Sequence, residues 1–122
     1  MKSLFTTVLL LSLVLLLSVA NTLYVRHVIQ TTESLLKSLP AIDSPDCAAR
    51  AEEIGTYWAH RENLLGATIP YSLLDRVCEQ ASLLGACANA SDRDGFLHAR
   101  TLLSDALEDV ARAEEFSLSN LF

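Results

Sequence analysis

Between Ser3 and Val25 the chain carries no charge: SLFTTVLLLSLVLLLSVANTLYV, 23 residues bounded by Lys2 and Arg26. As a helix rising about 1.5 Å per residue this run is about 35 Å long, enough to cross a hydrocarbon layer about 30 Å thick. It is apolar on every face, and the rest of a 122-residue chain is too small to cover all of those faces as a core helix would require. The segment is therefore expected to be a membrane or export element. An uncleaved signal-anchor is one form of it. The other is a secretory signal peptide, with Lys2 as the basic region, Leu4 to Leu17 as the apolar core and Ser18-Val19-Ala20 as a small-x-small cleavage site. Apolar character continues past Ala20 through Leu23, Tyr24 and Val25, and Tyr24 stands where interfacial aromatics stand, just ahead of Arg26 and His27. That continuation favours the anchor. Lys2 and the free amino group favour a cytoplasmic N-terminus, which places the rest of the chain outside the cytoplasm. No cysteine lies near Ala20, so a lipoprotein-type anchor has no support.

The charge of the remainder narrows its partners. All 15 acidic residues and eight of the nine basic ones lie from Arg26 onward, a net charge of −7 for that part. A nucleic-acid binder needs a basic patch to displace phosphate counterions, so nucleic acid is not an expected partner.

Past the span, helical character is expected to run on through Leu35 and Leu36 as a stalk and to end before Pro40. Leu39 to Asp43 reads as a linker. Ser44-Pro45-Asp46 starts a helix in which Ala51, Ile54, Trp58 and Leu65 form one stripe, expected to fail between Gly66 and Ile69. A second helix starts at Pro70 or Tyr71, carries Leu74, Val77, Ala81, Leu84 and Ala88 on one face, and ends near Asn89. Ser91 or Asp92 then caps a third, with Phe96, Ala99, Leu103, Ala106, Val110 and Ala113 in register. No window alternates with period two, so no strand is expected.

The fold class predicted is all-α: an N-terminal transmembrane helix followed by an antiparallel three-helix bundle. Residues 1–25 would be the signal-anchor, 26–43 stalk and linker, 44–115 the bundle, and 116–122 a C-terminal tail. Trp58 and Phe96 would fill the core together.

The chain resembles an uncharacterised bacterial family of short, membrane-anchored, all-helical proteins of unknown function. The residues that carry the likeness are Lys2, the Leu4 to Val25 run, Trp58, the Ile69-Pro70 break, the Leu102-Leu103 helix and the closing Ser117-Leu118-Ser119-Asn120-Leu121-Phe122. The resemblance implies topology and no particular activity.

Chemistry is sparse. No Glu is followed three residues later by His, and HExxH is absent, so the patterns of helical metal sites are missing. Asp94 and His98, one turn apart, read as a surface pair. Glu52-Glu53, Glu108-Asp109 and Glu114-Glu115 are sequence neighbours that point about 100° apart on a helix, which makes them solvated faces rather than acid/base pairs. No metal ligand, catalytic residue or cofactor is expected. Three cysteines leave at least one thiol unpaired within a chain. Cys78 and Cys87 are about 13–14 Å apart along one helix, too far for a bridge that needs Cα atoms within about 7 Å. Cys47 and Cys87 each lie 20 residues from Ala67, the expected turn, so a disulfide between them is possible by height. It would close a loop of about 40 residues and stabilise by roughly 3–4 kcal/mol. The uncharged tail, through Leu118, Leu121 and Phe122, either folds back over the bundle or docks on a partner or membrane surface.

The function expected is thus a non-catalytic, membrane-anchored, extracytoplasmic interaction or accessory protein, with the membrane and an unidentified protein as partners. The alternative is a secreted helical binding domain released by cleavage near Ala20.

Overall fold

Neither glycine nor proline occurs between Lys2 and Lys37, and those 36 residues form one unbroken helix, α1. It stops at Ser38, whose N–H donates to the Ser34 carbonyl while the Leu39 N–H donates to that of Leu36, just ahead of Pro40. The computed structural model of the protein describes the backbone of residues 1–121 and the side chains of residues 1–116. Four further helices follow: α2 (Cys47–Ala59), α3 (Glu62–Leu65), α4 (Tyr71–Asn89) and α5 (Arg93–Leu121). No strand is present among the described residues.

Every stripe residue from Ala51 to Val110 named above is buried, from Ala51, Ile54 and Trp58 through Leu74, Val77 and Leu84 to Phe96, Leu103 and Val110. Only Ala113, the last of the α5 series, is half-exposed. The periodicity therefore identified the inward faces. α4 packs on α2 and on α5, as an up-down-up hairpin pair requires.

The bundle does not close with three helices. The second half of α1 packs on both α2 and α5 and completes an up-down-up-down four-helix arrangement. Val25, Val28, Ile29, Thr32 and Leu36 are all buried there, and Leu39 joins them from the connection. The stretch expected to be a free stalk and linker is thus part of the core. The physical reason is its stripe: residues 25, 28, 29, 32 and 36 recur at helical spacing, and the α2–α4–α5 sheet of helices leaves an open groove that only another apolar stripe can cover.

Two other differences are local. The helix expected to run from Ser44 to Leu65 begins at Cys47, because Ser44 and Asp46 form a turn in which the Asp46 N–H reaches Ser44 Oγ at 3.4 Å. It then breaks at His60 and Arg61, where Arg61 turns back to donate to the Tyr57 carbonyl at 3.0 Å and stacks on the Tyr57 ring at 3.7 Å. The short α3 that follows keeps Leu65 in the core. The α4–α5 turn is set by Ser91, in the left-handed region at φ 54°, and by Asp92, whose Oδ1 accepts the Gly95 N–H at 3.1 Å. A Cβ on Gly95 would meet that Asp92 carboxylate and Cys87 Sγ, and both side chains would have to shift to admit it.

Candidate functional site

The part of the molecule with something to explain is α1. Twelve large apolar side chains between Leu4 and Leu23 are exposed, among them Leu4, Phe5, Leu11, Leu16 and Leu23. At roughly 1.5–3 kcal/mol for each such side chain, holding them in water would cost about 20–35 kcal/mol. That is the free energy such a surface would gain by moving from water into an apolar medium, which gives it the character of a membrane or export element. Its few polar side chains suit one. Thr6, Thr7 and Thr22 donate back to the carbonyls of Lys2, Ser3 and Ser18 at 2.8, 2.7 and 3.0 Å, which leaves no hydroxyl donor unpaired on those threonines. α1 is long and apolar enough to cross a membrane, and a signal sequence has the same character.

The joint between α1 and the bundle is a buried pair. The Trp58 indole N–H donates to Thr32 Oγ1 at 2.7 Å, and Thr32 in turn donates to the Val28 carbonyl at 2.8 Å. Both residues are fully buried. A buried indole needs an acceptor, and here the acceptor comes from α1. Trp58 is buried as expected, but the packing register separates it from Phe96. Glu52 meets Gly85 and Asn89, and Arg76 meets Asp109 at 2.9 Å, which puts Phe96 level with the first half of α2 and Trp58 near its far end. Below that joint, Thr68 Oγ1 reaches Asn21 Oδ1 at 3.4 Å, so the α3–α4 loop lies beside α1 where its apolar surface begins.

The cysteines are all free thiols. Pairing of Glu52 with Gly85 and Asn89 centres the α2–α4 hairpin near Ile69 rather than Ala67, because α3 lengthens the turn. Cys87 then comes level with Arg50 to Ile54, one to two turns short of Cys47, so the height argument for a Cys47–Cys87 link does not hold. Cys47 is buried, and Cys87 sits against Gly95. Burial pushes the Cys47 thiol up, with Arg100 opposing it slightly. Burial likewise raises Cys78, helped by Glu62 and Asp75. Both are therefore weak nucleophiles at neutral pH.

His27, His60 and His98 are exposed on three different segments, and Asp94 is exposed beside His98. Among the described residues, no group of three or more His, Cys, Asp or Glu is placed to hold a metal ion. A groove of about 460 Å³, open to solvent, runs between α1 and α5 past Glu33, Lys37, Arg100 and Glu108. Its mixed charges favour no one ligand. The side chains of Leu118 and Leu121, and Phe122 altogether, lie outside the described residues; the helix itself continues to Leu121, with no separate tail at Phe116.

These features define a class: an all-helical protein with one long apolar N-terminal helix, whose inner half is built into a bundle. No protein-family model, no curated protein and no solved structure matches the chain.

Proposed function

We propose that the protein is a single-pass, membrane-anchored helical module with its bundle outside the cytoplasm, acting through protein contacts rather than catalysis. One observation carries the membrane half of this reading: residues 4–23 of α1 expose apolar side chains on every side while the same helix, from Val25 on, is locked into the core. Lys2 before the run supports a cytoplasmic N-terminus. An accessory role suits exposed, scattered histidines, a Cys47 thiol raised by burial, and grooves that are open rather than enclosed.

A secreted domain is the second reading, and one observation favours it. The core begins at Val25, so cleavage after Ala20 removes no buried side chain. Membrane fractionation with mass measurement of the mature chain separates the two. Retention of the protein in membranes after carbonate extraction, with the N-terminal residues intact, is the result expected. A soluble chain starting at Asn21 would overturn the anchor.

A further inference from the structure

The packing fixes heights along the bundle. Thr68 meets Asn21 and Trp58 meets Thr32, so on the α2 side Leu64 lies level with about Val25. The groove between α1 and α5 brings Glu33 and Lys37 past Ser104 and Glu108, which puts Phe116 level with about Tyr24. Arg76 pairs with Asp109 at 2.9 Å, which brings Tyr71 to the level of Glu114, within a turn of the same plane. Three side chains on three different segments therefore lie at one height, level with the end of the exposed run of α1.

These three are also out of place in water. Outside α1, the exposed large hydrophobics among the described residues are Leu64, Tyr71, Leu83, Leu97 and Phe116. The three at this end are the most exposed, at 64, 78 and 69%, against 45% for Leu83 and 52% for Leu97. With α1 centred in a bilayer near Leu13 and Val14, ten residues of helix rise about 15 Å, which places Tyr24 at the hydrocarbon boundary. Tyrosine is the side chain favoured at that depth, and Tyr24 and Tyr71 both lie there.

We infer that this end of the bundle is a lipid-seating surface: Leu64, Tyr71 and Phe116 rest in the headgroup boundary of the bilayer that α1 crosses. The inference rests on α1 being a span and adds that the bundle sits down on the membrane rather than standing clear of it. The occupant is lipid because the exposed apolar run of α1 ends at Leu23, at the same height as these three side chains, so a bilayer crossed by that run meets this end of the bundle first. The flanking charges are mixed, with Arg61 and Glu62 on one side and Arg112 and Glu115 on another, so a zwitterionic headgroup is sufficient.

The full chain reconstituted in phosphatidylcholine vesicles tests it, with a photoactivatable phosphatidylcholine bearing its diazirine near the acyl carbonyl. After illumination and tryptic digestion, lipid adducts are expected on the Ser3–Arg26 peptide, on Glu62–Arg76 and on the peptide that begins at Ala113. Asp94–Arg100, which holds Leu97 at the far end, should carry several-fold fewer. The variant L64S/Y71S/F116S should keep the α1 adducts and lose most of the others. Adducts confined to Ser3–Arg26, or unchanged by the triple variant, overturn the seating and leave the span standing. Absence of adducts on Ser3–Arg26 as well would overturn both.

Discussion

Residues 4–23 and 25–36 belong to one unbroken helix, yet the first set turns apolar side chains to every side while the second gathers them into a single stripe. In the outer half leucine recurs with no period, and the polar residues are serine, threonine and one asparagine. In the inner half Val25, Val28, Ile29, Thr32 and Leu36 face the bundle, and Arg26, His27, Gln30, Glu33 and Lys37 occupy the other positions. The difference reflects what surrounds each half. In the reading proposed above the outer half lies in lipid, which is the same in all directions, so it gains nothing from periodicity; a protein core lies on one side only, and periodicity is how a helix finds it.

Four substitutions break or sharpen this contrast. Trp58→Ala should have the largest effect, about 3–5 kcal/mol of bundle stability, since it empties a fully buried site and removes the partner of Thr32. Thermal unfolding of the full chain in detergent would show a much lower melting temperature; an unchanged one would mean that the inner half of α1 is not held through Trp58. Leu13→Arg acts on the outer half alone. A charge at mid-bilayer costs about 3 kcal/mol, so membrane partition should fall by roughly a hundredfold while the bundle melts as before. Thr32→Val keeps the shape and takes away the acceptor, leaving a buried indole N–H unpaired at about 1–3 kcal/mol. Denaturant titration reads that loss, and a neutral result would reduce the joint to packing. Ser91→Gly, at the end remote from the membrane, relieves a left-handed serine and should stabilise by about 0.5 kcal/mol without changing how either half of α1 is placed.

The three later helices were legible because each buries one face against neighbours on one side, and the spacings of Ile54 and Trp58, of Val77 and Leu84, and of Leu103 and Val110 state that plainly. The fourth member of the bundle was harder to see. Its stripe from Val25 to Leu36 has the same spacing, but it follows a run with no period and reads as the fading end of the span. The Trp58–Thr32 bond was out of reach, since nothing local couples residues 26 positions apart. The break at Arg61 has neither glycine nor proline to mark it; a cation stacked on Tyr57 stands in for both. The common height of Leu64, Tyr71 and Phe116 was hidden for a related reason: they come from segments far apart in the chain, and only the helix pairings bring them to one plane.

The absence of glycine and proline from Lys2 to Lys37 has a mechanical consequence. If α1 is the span proposed above, a flexible joint at the membrane surface would let the bundle keep its attitude whatever the span did. Here the shaft is continuous, so any tilt adopted in the bilayer is carried into the bundle at full amplitude. From Val25 to Leu36 the helix extends about 17 Å, and a tilt of about 20°, ordinary for a spanning helix, swings its far end sideways by about 6 Å. In that reading bilayer thickness becomes an input to the orientation of the α4–α5 turn, the part of the molecule farthest from the lipid.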